Sequence, residues 1–295
     1  MKGITIMLLK FIIGALMIGG VYGVLGMGYC LIYKSTGLMN LAQGEFMTFG
    51  AYVGVTFYKL IGLPFPTAII CTFIVMFIIG YSLQRFIIIK LIKKGSTFAY
   101  VILCTAAASM ILQNGAMLIW GPTIIAFPQI FSVRSINLGV MSVAPEHLMV
   151  LGIALVCCVG LYIFLNKTKL GTAIRAAAMD EDAAYSVGID VQNTRGTAWG
   201  LAAGLAGVIG ASVGPIYGVF TTLGATIGQK AFAGAVAGGY GNVFGAVVGG
   251  MLCGFLETFV QGYINAQYKD VFVFAALILL LAFIPNGIFK EKVIE

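Results

Sequence analysis

"FIIGALMIGGVYGVLGMGYCLIY", residues 11–33, contains no charged residue. A helix needs about 20 mostly apolar residues to cross a bilayer, and this stretch exceeds that. Lys2 precedes an apolar run as in a signal peptide, but Lys10 interrupts that run, no small-x-small cleavage site follows and the hydrophobic stretch continues to Tyr33, so it reads as a retained first span. Stretches of the same kind recur along the chain, at about 45–60, 64–84, 98–120, 146–166, 196–219, 242–263 and 271–285. The segment 222–241 is apolar but rich in glycine, and is ambiguous. Composition agrees: of 295 residues, 60% are hydrophobic and 9% charged. A soluble domain carries roughly 25% charged residues. The chain is therefore read as an all-α polytopic membrane protein, a single domain over 1–295 with eight or nine transmembrane helices.

The net charge of +7 then marks sidedness rather than nucleic-acid affinity. Arg85, Lys90, Lys93 and Lys94 close one connection, Lys167, Lys169, Arg175 and Arg195 lie in another, and Lys290 and Lys292 end the chain. The connection 121–145 carries only Arg134. Two spans separate the first two basic connections, which puts both in the cytoplasm and 121–145 outside. If the tail is also cytoplasmic, 222–241 must cross and the spans number nine; if that segment only dips in and returns, they number eight.

Glycine is abundant, at 40 residues. The pairs Gly19/Gly23, Gly200/Gly204, Gly210/Gly214, Gly241/Gly245 and Gly250/Gly254 have the four-residue spacing that lets helix backbones approach closely. Two stretches, "KSTGLMNLAQGEF" (34–46) and "GATIGQKAFAGAVAGGYGN" (224–242), interrupt apolar runs with glycine and polar groups, one in each half. They are either surface loops or the paired broken segments of a transport pathway. On the pathway reading Asn40, Gln43 and Gly44 lie near the solute. The charges within apolar segments are Glu45, Lys230 and Glu257, each expected to face protein or water. Glu45 opens a helix, and Gln261 lies one turn beyond Glu257 on the same face.

Other motifs lead nowhere. "GASVG" (210–214) matches the hydrolase pattern G-x-S-x-G but lies in a glycine-rich span, and the sole histidine, His147, precedes it; an intramembrane hydrolase would rest on Ser212 alone. "GATIGQKA" (224–231) lacks the phosphate-loop spacing, so no nucleotide site and no enzyme activity is expected. The six cysteines lie in apolar segments without metal-ligand spacing, and no cofactor or metal is expected. No proton relay or sodium site is apparent.

The charge is concentrated in "GTAIRAAAMDEDAAYSVGID" (171–190). Thr172 is placed to cap one short helix and Asp180 a second, with Glu181 and Asp182 in the first turn of the latter. Gly188 supplies a left-handed stop with Ile189 beyond it. Ala183, Ala184 and Val187 would form a small apolar face. The expectation is a rigid knob on the cytoplasmic surface, suited to a groove in another protein. Its alternative is a solvated connector.

The stretch "DAAYSVG" (182–188) resembles the E-A-A-x-x-x-G loop of ABC-importer permeases, with Asp182 where that loop carries Glu. The segments "GLMNLAQGEFMTFGAYVG" (37–54), "LGTAIRAAAMDEDAAYSVGIDV" (170–191) and "KAFAGAVAGGYGNVFGAVVGG" (230–250), in this order, resemble branched-chain amino acid permeases of the LivH type over nearly the whole chain. The resemblance implies a type II-like ABC importer permease in the cytoplasmic (inner) membrane. It also implies a second permease subunit, identical or different, and an extracytoplasmic binding protein delivering Leu, Ile or Val. Two cytoplasmic ATPase subunits that alone bind ATP would dock on the loop 167–195 through Arg175, Asp180, Glu181, Asp182, Ala183, Ala184 and Gly188. The translocation pathway would include Asn40, Gln43, Gly44, Glu45 and Glu257. Permeases for urea and short-chain amides share the pattern. A self-contained facilitator for a small neutral solute is the reading from another class, distinguished by having no ATPase to engage.

Overall fold

The structure, a computed structural model, describes residues 2–95, 97–131, 135–137 and 142–289. Among these, seven helices are long and apolar enough to cross a membrane. They are built on α1 (Lys2–Thr36), α3 (Phe65–Ser82), α5 (Phe98–Trp120), α6 (Pro145–Lys167), α9 (Val191–Tyr217), α11 (Val243–Tyr263) and α12 (Lys269–Phe283). Two shorter helices complete the bundle, α2 (Gln43–Val55) and α10 (Leu223–Gly238). A widened π turn extends α2 to Leu60; another carries α3 through Leu83–Ile88 into α4 (Ile89–Lys93). Between α6 and α9 lie α7 (Lys169–Met179) and α8 (Glu181–Ser186). A two-residue hairpin, β1 (Ile136–Asn137) with β2 (Ser142–Val143), is the only sheet among the described residues. The chain is thus an all-α polytopic membrane protein.

Contacts at the helix ends fix which termini lie together. Arg195, at the start of α9, donates from Nε to the Ser35 carbonyl at the end of α1, 3.1 Å away. Arg85 reaches Gln192 at the same end. The α10–α11 turn joins them: Gly241 N–H donates to Cys30 Sγ, and Tyr240 packs on Tyr33. The segment after α12 comes back to this turn, where the Ile288 and Phe289 amides donate to the carbonyls of Ala237 and Gly238 at 3.0 Å. This is the basic end of the bundle. At the far end Ile125 bridges Val219, and Phe127 stacks on Tyr58. Among the described residues the chain therefore passes from the far end at Val219 to the basic end at Gly241, which gives nine helical passes, with the segment after α12 at the same end as Arg195. Arg134, Lys290 and Lys292 lie outside the described residues.

α9 and most of α1 from Phe11 onward are buried, whereas α5 and α12 expose most of their surface. Since lipid offers no hydrophobic advantage for helix association, close packing must come from shape. Gly19 and Gly23 on α1 meet Gly254 and Gly250 on α11 backbone to backbone. Gly200 and Gly204 on α9 instead receive the rings of Phe77 and Phe73 on α3. Gly241 belongs to the α10–α11 turn, with φ of 105°, so Gly241/Gly245 is not a helical pair. Gly245 packs on α10: a Cβ there would lie 2.5 Å from the Gly238 carbonyl oxygen. Backbone cannot swing aside as a ring can. Gly245→Leu is therefore expected to lower folded protein in the membrane several-fold, and Gly204→Leu by less. Equal, wild-type abundance of both on quantitative immunoblots would remove this account.

Candidate functional site

The loop between α6 and α9 is a folded unit. α7 starts earlier than expected: Thr168, not Thr172, is its cap, with Oγ1 accepting from the Gly171 amide at 3.0 Å. Thr172 lies inside the helix and donates its hydroxyl back to the Thr168 carbonyl. Gly171 makes this corner possible, because a Cβ would sit 2.2 Å from the Phe164 carbonyl oxygen. Asp180 caps α8, its Oδ1 accepting from Ala183 N at 2.9 Å. A cap of this kind contributes about 1 kcal/mol. α8 ends as the sequence predicts: Gly188 has φ of 83°, and the Ile189 amide returns to the Ala184 carbonyl.

The apolar face differs from expectation. Ala184 points inward and forms a small core with Ala177 and Val191, covered by Ile189. Ala183 and Val187, one turn apart, stay exposed beside Met179 and Tyr185. The reason is geometric. α8 is under two turns long, so the face that closes on α7 leaves only the opposite i, i+4 pair outside. The acids divide similarly. Asp180 caps, Asp182 is exposed, and Glu181 forms a forked pair with Arg195 at 2.9 and 2.7 Å. Because Arg195 also holds Ser35, the fork ties the knob to the ends of α1 and α9 together. Arg175 donates to Asn166 on α6, 3.1 Å away.

The stretch 34–46 is no surface loop. α1 ends at Thr36, and residues 37–42 are unwound within the bundle, the Leu41 amide donating to Thr105 of α5. Gln43 begins α2 beside Ala202, to whose carbonyl its Nε2 donates at 3.0 Å. Ala202 lies eleven residues into α9, or about 16 Å at 1.5 Å per residue, so α2 begins at membrane depth. Asn40 accepts from the Ala42 amide. Both side chains are buried. Gly44 meets the backbone of α10 at Gly224 and Gly228. The two glycine-rich stretches therefore touch at mid-bundle, although the second is helical through Gly238 and breaks only on either side. Beside this crossing Gly44 and Glu45 line a cavity of about 360 Å³ with Tyr29, Ser109, Gln229 and Phe274.

Glu257 lies elsewhere. Its carboxylate accepts from Lys230 at 2.8 Å and Lys269 at 3.1 Å, and from the Tyr22 hydroxyl. Lys230 also pairs with Asp270 at 2.6 Å. The cluster lines a second cavity, of about 270 Å³, and shares no residue with the one beside Glu45. The predicted polar strip to Gln261 is not what satisfies Glu257; opposite charges on α10 and α12 do. Lys230 and Glu257 are the intramembrane charges of opposite sign that the sequence singles out, and that opposition was the available signal of their pairing. Lys269 and Asp270 begin α12, where ordinary helix-end charges attract no notice. Ser212 donates its hydroxyl to Val208 within α9, the ordinary use of a serine in a packed helix.

Comparison with known proteins completes the picture. Residues 11–281 match the family described as "Branched-chain amino acid transport system / permease component". The LivH permease protein of a high-affinity branched-chain amino acid transport system in Salmonella typhimurium is 28% identical over 94% of both chains. The BraD permease protein of a high-affinity branched-chain amino acid transport system in Pseudomonas aeruginosa is 31% identical over 63% of this chain and 64% of its own. A probable LivH permease protein of Methanocaldococcus jannaschii is 29% identical over 63% of this chain, and the match spans only 60% of that protein's length. Among solved structures, PsaBC from Streptococcus pneumoniae in complex with Fab aligns over 91% of this chain and 90% of its own, with a TM-score of 0.48 and 13% identity. The family match covers nearly all of the helical bundle, its buried crossing and its capped knob: the chain belongs to the branched-chain amino acid transport permease family.

Proposed function

We propose that the chain is the membrane-spanning subunit of an ABC importer for branched-chain amino acids. In this reading it pairs with a second permease subunit in the cytoplasmic membrane, its basic end facing the cytoplasm. An extracytoplasmic binding protein delivers solute to the far end. Two ATPase subunits, which alone bind ATP, dock at the basic end on the knob formed by α7 and α8. The substrate class rests on the names of the relatives, and the ATPase partnership on the knob.

The observation that carries the reading is the construction of that knob. A solvated connector has no use for two capped helices, a core of its own and an Arg–Glu fork fastening it to α1 and α9. A lever does, because displacement is transmitted only through a body that does not deform. Moving an equilibrium from 1:99 to 99:1 takes about 5.5 kcal/mol, and this energy must arrive through such a contact. The surface left for a partner is Met179, Ala183, Tyr185 and Val187, with Val187 76% exposed.

Val187→Arg places a charge on that surface without touching the knob's interior. It is expected to leave the permease folded and inserted while lowering ATPase co-purification at least ten-fold, about 1.4 kcal/mol of binding. Unchanged ATPase recovery would place the contact elsewhere. Solute entry that runs only down its gradient without any ATPase would favour a facilitator, and import of urea or a short amide in place of leucine would reassign the substrate.

A further inference from the structure

From the second cavity we infer a solute subsite for a zwitterionic amino acid, formed by Lys230, Glu257, Lys269 and Asp270. The inference rests on the permease reading and names where in this chain the solute is held.

The four groups come from α10, α11 and α12, two positive and two negative, and sum to zero. Their contacts form a chain, Asp270–Lys230–Glu257–Lys269, with links of 2.6, 2.8 and 3.1 Å. A neutral apolar cluster would have packed these helices more cheaply, since buried pairs repay their desolvation poorly. The arrangement has a use if the charges exchange partners. An amino acid brings one ammonium and one carboxylate, so it enters without altering the net charge. Its ammonium takes the place of Lys230 at Asp270, and its carboxylate takes the place of Asp270 at Lys230, with Lys269 beside it. A cation or an anion alone would leave one buried charge uncompensated, which is the costly case.

Accessibility and shape agree. The inner pair is nearly sealed, with side chains of Lys230 and Glu257 exposed by 9% and 3%, whereas the Asp270 side chain is 55% exposed. The mouth therefore lies at the start of α12, on the side away from the knob. The cavity is also lined by Met17, Ile18, Val213, Phe220 and Ile227. Ionic groups and an apolar lining in one cavity suit an amino acid with a hydrocarbon side chain. Glu257 keeps Lys230 in place through Tyr22, which donates to its other oxygen.

The test measures binding of leucine to the intact chain in lipid nanodiscs by saturation-transfer NMR. Two one-charge probes accompany it: 3-methylbutylamine, lacking the carboxylate, and 4-methylpentanoate, lacking the ammonium. Leucine is expected to bind, and each probe at least ten-fold more weakly, since a charge-assisted hydrogen bond is worth about one factor of ten or more. Asp270→Asn, at the exposed mouth where Lys230 still keeps its bond to Glu257, is expected to weaken leucine at least ten-fold while the chain stays folded. No leucine binding, equal binding of a one-charge probe, or an unaffected Asp270→Asn chain would overturn the subsite. Leucine import by the complete complex is measured in parallel. Import by the wild type that Asp270→Asn leaves untouched overturns the subsite alone; a complex importing no amino acid overturns the permease reading itself.

Discussion

Gly44→Leu is expected to abolish transport, with folded protein falling to a small fraction of the wild-type level. The Gly44 α-carbon lies against α10, where a Cβ would be 2.5 Å from the Gly224 carbonyl oxygen. The contact is reciprocal, since a Cβ on Gly224 would be 1.8 Å from the Gly44 oxygen. Both obstacles are backbone, so relief requires separating α2 from α10. That separation also breaks the bond from the Gly224 amide to Thr48 Oγ1, leaving buried polar groups unmatched at about 1–3 kcal/mol each. From the sequence alone the same substitution is a plug in an intact pathway. The structure changes the mechanism: the crossing itself comes apart. Size-exclusion profiles of Gly44→Ala and Gly44→Leu beside uptake measurements decide between the two. A graded loss of monodisperse protein supports the packing account, and full assembly of Gly44→Leu without uptake supports the plug.

Ala184→Arg is expected to remove ATPase co-purification and solute-stimulated ATP hydrolysis by more than a hundred-fold, with the transmembrane bundle intact. Ala184 is 3% exposed inside the core that joins α7, α8 and the first residue of α9. An arginine there is either buried without a partner, at several kcal/mol, or it expels α8 from α7. Gly188→Val acts more mildly through the backbone. There is open space for its side chain, but a β-branched residue at φ of 83° is strained, at a cost of roughly 1–2 kcal/mol. The two variants therefore rank the contribution of knob rigidity. Wild-type ATPase stimulation by both would mean that the loop is a connector and that force enters elsewhere. The readout separates this from Val187→Arg, which alters the outer surface and leaves the knob's protease resistance unchanged.

Much was legible in the sequence, because lipid makes a severe demand: every backbone group in the bilayer must find its partner within the protein. Long charge-free runs such as 11–33 can meet it only as helices, and the helix assignments follow from composition and length. The caps at Asp180 and the stop at Gly188 were equally readable, since a side-chain oxygen and a left-handed φ act within a few residues of chain. The cap at Thr168 is not legible in the sequence, because that single residue is all that separates α6 from α7.

Tertiary structure decided what depends on distance through space. Whether 222–241 crosses is settled by Phe289 bonding to Gly238 and Tyr240 packing on Tyr33, contacts between residues far apart in the chain. Which alanine of α8 faces in is settled by where α7 and Val191 lie. The same holds for the intramembrane charges. The sequence by itself required that Lys230 and Glu257 be shielded from lipid, but it left their partners open. A long-range ion pair leaves no periodicity in sequence, so only the packing of α10, α11 and α12 could bring Lys230, Glu257, Lys269 and Asp270 into one balanced group.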